Sequence, residues 1–151
     1  MKLDKEFNAI KVLIVEDSKA DLRLTMEALK DCKLMLDIEA VKDGVEAMDF
    51  LRKKGEYKNS SKPDLILLDL NLPRKDGKKV LEEIKSDAHL KRIPVVILTV
   101  SSDEQDIIET YDLHANCFIT KPVDLNQFIQ VVKSIESFWF TIVNLPPNIT
   151  K

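Results

Sequence analysis

Four short stretches are apolar on every successive residue: "VLIV" at 12–15, "LILL" at 65–68, "VVIL" at 95–98 and "CFI" at 117–119. A strand with one face in water alternates apolar and polar side chains, whereas a strand covered on both faces has no reason to. The runs therefore predict a parallel sheet held between two layers of helix. A fifth segment, "LDIEAV" at 36–41, does alternate, with Leu36, Ile38 and Ala40 on one side, as a half-exposed edge strand would.

Helical patterns fill the spaces between these runs, and several open on a capping signal. Ser18 leads a segment in which Leu22, Met26 and Leu29 recur at helical spacing. Asp43 stands three residues before Glu46, Ser102 three before Gln105 and Asp124 three before Gln127. In each pair the side chains can satisfy the orphan N–H groups of a first helical turn. "GKKVLEEIK" at 77–85 supplies another helix through Val80, Leu81 and Ile84. Strand followed by helix, five times over, predicts a three-layer α/β fold with right-handed crossovers. "KKGEYKNSSKP" at 53–63 reads as a polar surface loop.

The chain has 151 residues, 44% hydrophobic and 32% charged, which suits one globular domain with a real core. A net charge of −3 gives no footprint for nucleic acid or for a membrane surface. No apolar stretch approaches the roughly 18–20 residues a membrane span needs. The opening "MKLDKEFNAIK" carries acids and lacks a signal peptide's apolar run, so a cytoplasmic protein is expected. Cys32 and Cys117 are read as free thiols, the latter a small core filler.

Sites in open parallel sheets form at the carboxyl ends of the strands. Those ends here are Glu16-Asp17, Asp69, Thr99 and Thr120-Lys121-Pro122. Three carboxylates, a hydroxyl and an ammonium thus converge on one edge. Clustered carboxylates repel one another and need a cation to stay ionised, and an all-oxygen set of this kind suits Mg²⁺. With such an ion, Asp69 is the candidate nucleophile toward a phosphoryl group. Lys121 would neutralise developing charge and Thr99 would donate to a phosphoryl oxygen. Pro73 and Gly77 would shape the loop behind Asp69.

The stretches "VLIVEDS", "LILLDLNLPRKDG", "VVILTVSSDEQD" and "CFITKPVD" resemble the receiver domain of two-component response regulators, over about residues 11–138. The resemblance implies a doubly wound, flavodoxin-like receiver fold with strand order 2-1-3-4-5. It implies phosphotransfer to Asp69 from a sensor histidine kinase, in a phosphoacceptor signalling domain and not a turnover enzyme. By the same implication Asp17, Asp69 and the backbone carbonyl of Asn71 hold Mg²⁺ directly, Glu16 acts through water, and the Lys121–Pro122 peptide is cis. Phe118 matches the family's aromatic switch position. Thr99 would move toward the phosphoryl group and let Phe118 turn inward, changing the face made by the fourth helix, fifth strand and fifth helix. Val100 follows the switch threonine where many receivers carry a smaller residue, which implies slow loss of the phosphoryl group.

The domain reading is an N-terminal extension at 1–10, a receiver domain at 11–143 with an extended fifth helix, and a tail at 144–151. No further domain is legible, so output is expected through protein contacts. Phe128, Val132, Ile135, Trp139 and Ile142 recur at steps of four and three. A helix from Asp124 to about Val143 would run roughly 28 Å and overhang strands of roughly 17–20 Å. These residues, with Phe138 beside Trp139, are the expected interface of a homodimer, the alternative being a tail that folds back over the sheet's flank. "NLPRKDG" and the long last helix also resemble single-domain regulators paired with bacteriophytochromes, implying a phytochrome-type kinase.

Competing readings fit less well. A haloacid-dehalogenase-type phosphatase wants a second acid two residues after its nucleophile, and Asn71 stands there. A flavodoxin-like flavin binder must cradle a phosphate in its first loop, where "EDSKAD" would repel one. A pseudo-receiver would lack the nucleophile or the lysine, and both are present.

Overall fold

The apolar runs pair as strands of one sheet: β1 (Ala9–Val15), β2 (Met35–Val41), β3 (Leu65–Asp69), β4 (Val95–Thr99) and β5 (Cys117–Thr120). All pair in parallel, in the order β2-β1-β3-β4-β5. The structure is a computed structural model and describes residues 9–32, 35–99, 115 and 117–134. Its helices are α1 (Lys19–Leu29), α2 (Gly44–Arg52), α3 (Gly77–Ser86) and α4 (Leu125–Ser134), with a short 3₁₀ turn at Gly55–Tyr57. The helix expected from Ser102, and the last helix beyond residue 134, lie outside the described residues.

The uninterrupted apolar runs are explained by two separate cores. Leu13, Val15, Ile66, Leu68, Val95 and Ile97 point to one face and pack with Ala47, Met48, Leu51, Val80, Leu81 and Ile84 from α2 and α3. Their neighbours Val12, Ile14, Leu65, Leu67, Val96, Leu98 and Ile119 point to the other, against Leu29 of α1 and Phe128 and Val132 of α4. Every residue of β3, Asp69 included, is buried. Full burial of each such aliphatic side chain contributes about 1.5–3 kcal/mol, so a central strand of this composition is strongly anchored.

β2 is an edge strand, with Leu36 and Ile38 half-buried between exposed Asp37 and Glu39, but Ala40, expected on the same side, is exposed. β1 begins earlier than the expected boundary at Lys11. Ala9 and Ile10 pair with Met35 and Leu36, and Ile10 is buried, so both belong to the sheet.

The caps follow the sequence. Ser18 Oγ accepts from the Asp21 N–H at 3.1 Å, Asp43 Oδ1 from Glu46 at 2.8 Å and Asp124 Oδ1 from Gln127 at 3.2 Å. Asp76 caps α3 by accepting from Lys78 at 2.9 Å. The 53–63 loop is less purely polar than it reads. Its Tyr57 ring packs 5.3 Å from that of Phe50, and its hydroxyl donates to Glu46 Oε2 at 2.7 Å.

Candidate functional site

The strand register decides which side chains meet. Val15 pairs with Leu68, so Glu16 and Asp69 follow in one row, while Thr99 pairs with Thr120 one row further along the carboxyl edge. Lys121 follows Thr120 directly, and the Lys121–Pro122 peptide is cis. Residues more than fifty positions apart are thereby gathered by strand length alone.

Glu16 and Asp69 are 3% and 4% exposed, and a buried carboxylate is costly unless it is paired. Lys121 supplies the pairing. Its Nζ donates to Glu16 Oε1 at 2.5 Å, to Asp69 Oδ2 at 3.0 Å and to Asp21 Oδ2 at 3.0 Å. The remaining oxygens are held by backbone donors, Ser18 N–H on Glu16 Oε2 at 3.2 Å and Asn71 N–H on Asp69 Oδ1 at 3.0 Å. Asp17 is exposed beside them, and one oxygen each of Glu16, Asp17 and Asp69 lie within 4.8 Å of one another.

One ammonium is too little charge for Glu16, Asp17, Asp21 and Asp69 together. Burial, reinforced by the hydrogen bond and charge of Asp69, raises the Glu16 carboxyl to about 7, although Lys121 pulls the other way. For Lys121 burial alone would lower the pKa, but the hydrogen bonds to Glu16, Asp69 and Asp21 outweigh it and hold the ammonium above its ordinary value. A carboxyl pushed up in this way marks a cluster short of positive charge. Converging hard oxygen donors with a cation deficit fit a divalent ion, and Glu16, Asp17 and Asp69 are the side chains that would hold it.

The loop behind Asp69 is fixed by close backbone approach. The Gly77 N–H donates to Leu70 O at 3.2 Å, and a Cβ on Gly77 would lie 2.5 Å from Asp69 O and 2.6 Å from Leu70 Cα. A Cβ on Gly44, at the start of α2, would strike Lys75 O and Lys75 Cβ of the same loop. Arg74, at φ 66°, donates to Asp43 Oδ2 at 3.2 Å, which ties the loop to the cap of α2.

The structure thus brings together Glu16, Asp17, Asp69 and Lys121 as the sequence predicts. Thr99 closes β4 beside Thr120; its side chain lies outside what is described. Phe118, on β5, is half-buried against the α2/α3 core. Two residues need correction. Phe128 and Val132 are each 1% exposed and fill the core between α4 and the sheet, so they are not available to a partner. Ile135, Phe138, Trp139 and Ile142 lie outside the described residues. Sequence reasoning missed Asp21. It falls within "EDSKAD" at the start of α1 and is not singled out there, because its partner Lys121 is 100 positions away.

The sequence profile of the response regulator receiver domain matches residues 12–133. The chain is 53% identical over 135 residues to the response regulator Rcp1 of Synechocystis sp., covering 89% of this chain and 92% of that protein. The Mn²⁺-bound crystal structure of Rcp1 superposes with a TM-score of 0.74 at 52% identity, covering 91% of this chain and 99% of the other. The phosphorylated cyanobacterial phytochrome response regulator RcpA gives 0.75 at 56% identity, covering 92% and 99%. The bacteriophytochrome response regulator AtBRR gives 0.76 at 37%, covering 95% and 99%.

Proposed function

This chain belongs to the response regulator receiver domain family, and from that premise we propose that Asp69 accepts a phosphoryl group from a sensor histidine kinase with Mg²⁺ as cofactor. The observation that carries the reading is the buried Asp69 carboxylate, paired to Lys121 and lying beside Glu16 and Asp17 on the carboxyl edge. Rcp1 crystallised with Mn²⁺ and RcpA in phosphorylated form support it.

Glu16, Asp17, Asp69 and the Asn71 carbonyl would hold the Mg²⁺, which when bound neutralises charge on the phosphoryl oxygens. The chain's own residues do the rest. The Asn71 N–H fixes one Asp69 oxygen and thereby orients the carboxylate. A carboxylate oxygen of Asp69 forms the bond to phosphorus as the phosphorus–nitrogen bond of the kinase phosphohistidine breaks, its electron pair leaving on the imidazole. The Lys121 N–H that donates to the Asp69 carboxylate turns to donate to a phosphoryl oxygen, the proton staying on nitrogen, and Thr99 donates to another. Burial of the acceptor keeps water from competing.

Output follows as a population shift: Thr99 moves toward the new group, Phe118 turns inward, and the face that includes β5 and α4 changes. The protein is a phosphoacceptor that is modified and reset, not a turnover enzyme. The names of RcpA and AtBRR as phytochrome and bacteriophytochrome response regulators support a phytochrome-type kinase, and a cytoplasmic setting stays a proposal from the sequence. Among the described residues no helix is long and apolar enough to cross a membrane. Homodimerisation is assigned to Ile135, Phe138, Trp139 and Ile142, now without Phe128 and Val132. A monomeric mass in light scattering at micromolar concentration would refute it.

The reading is tested by intact mass after incubation with acetyl phosphate. Wild type should gain one phosphoryl group in the presence of Mg²⁺ and none with a chelator, and Asp69→Asn should gain none. Equal gain by Asp69→Asn would overturn the assignment.

A further inference from the structure

Lys121 brings a positive charge to the site, and a lysine head is a point charge on a flexible stem. Three carboxylates hold it: Glu16 at 2.5 Å, Asp69 at 3.0 Å and Asp21 at 3.0 Å. The first two belong to the oxygens that converge for a cation, and Asp21 does not. Asp69 would also change chemically on accepting phosphorus, and Glu16 is among the side chains that would hold the ion. Asp21 is the acceptor that the reaction leaves untouched.

Its mounting suits such a task. Asp21 sits in the first turn of α1, where its N–H is capped by Ser18 Oγ at 3.1 Å and the Leu22 N–H closes on Ser18 O at 2.9 Å. Ser18 is itself bonded through its N–H to Glu16 Oε2. The Asp21 side chain is 37% exposed, whereas that of Lys121 is 7% exposed, so a partly solvated carboxylate reaches inward to a buried ammonium. Burial does not force Asp21 into that geometry.

We propose that Asp21 is a positioning residue that keeps the Lys121 ammonium over the acceptor carboxylate while Asp69 and Glu16 engage other groups. The proposal rests on the phosphoacceptor reading above. Position, and not charge alone, is the claim. An amide oxygen at residue 21 can still accept from the ammonium, but a methyl group cannot.

The test compares wild type, Asp21→Asn and Asp21→Ala in phosphorylation by acetyl phosphate at saturating Mg²⁺. The expected result is a rate several-fold lower in Asp21→Ala and within about two-fold of wild type in Asp21→Asn, an order-of-magnitude expectation from the value of preorganisation. Equal losses in the two variants would mean that charge alone matters, and no loss in Asp21→Ala would mean no role; either overturns the proposal. A second readout needs no activity. Asp21→Ala should lower the urea midpoint more in wild type than in Lys121→Met, and equal shifts in both backgrounds would overturn action through Lys121. If wild type itself takes up no phosphoryl group, the failure lies with the phosphoacceptor reading.

Discussion

Replacing Gly77 by alanine tests whether the acceptor loop is set by backbone contact. The new Cβ would lie 2.5 Å from Asp69 O, 2.6 Å from Leu70 Cα and 2.9 Å from Leu70 O, all main-chain atoms with no rotamer to escape into. Overpacking of this kind costs about 1–3 kcal/mol or somewhat more. The gain in helix propensity, at most about 1 kcal/mol and less at the first residue of α3, offsets only part of it. A net loss of about 2 kcal/mol corresponds to a fall in Tm of about 4–8 °C for a chain of this size. The atoms that must yield belong to Asp69 and its neighbour, so the phosphorylation rate should fall by about ten-fold or more, given the cost of small misplacements in a reacting site. Gly55→Ala is the comparison. Gly55 also has a special backbone, at φ +58°, but nothing lies within 4 Å of an added Cβ. It should lose about 1–2 kcal/mol to left-handed strain while phosphorylating at the wild-type rate. Urea unfolding and acetyl phosphate kinetics on both variants decide the matter. A Gly77→Ala protein with unchanged stability and rate would refute the argument.

Other outcomes follow from the same geometry. The Glu16 carboxyl lies above its unfolded value of 4.5, at about 7, so its protonated form stabilises the cation-free protein at low pH. That contribution, at most ~3 kcal/mol, is lost as pH rises from about 5 through 7, and saturating Mg²⁺ should restore stability at high pH. Calorimetric titration near pH 6.5 in buffers of different ionisation enthalpy should detect proton release on Mg²⁺ binding, and none would contradict this. Arg74→Ala leaves the buried Asp43 carboxylate without its cation and should cost about 1–2 kcal/mol in urea. Lys30→Ala, which breaks a pair whose side chains are 64% and 63% exposed, should change stability by less than about 0.5 kcal/mol. Val100→Ala should shorten the lifetime of the phosphorylated form; an unchanged lifetime by intact mass would remove that idea.

Much of the site was legible because a parallel sheet concentrates function at one edge. Runs such as "LILL" imply cover on both faces, and the residues that end them then fall in adjacent rows, which is how Glu16, Asp69 and Lys121 could be grouped. The caps at Ser18, Asp43 and Asp124 were legible for a local reason, since each side chain bonds a backbone group three residues on. Asp21 was not, because an acid in a first helical turn has a sufficient local explanation and its second partner arrives from the far end of the chain. The Arg74–Asp43 tie is of the same long-range kind. Phe128 and Val132 show a different limit. Periodicity reveals that a helix has an apolar stripe but not what covers it, and the sheet claims the first turns of the stripe.

The proposed phosphoryl acceptor is the carboxylate of Asp69 and no other in the acidic cluster. Borohydride reduces an acyl phosphate to an alcohol at the residue that carried it, and tandem mass spectrometry of the digested protein then reads the position. Protein treated with acetyl phosphate and Mg²⁺ should carry the reduced residue at position 69 alone. Its appearance at position 16, 17 or 21 instead would contradict the claim.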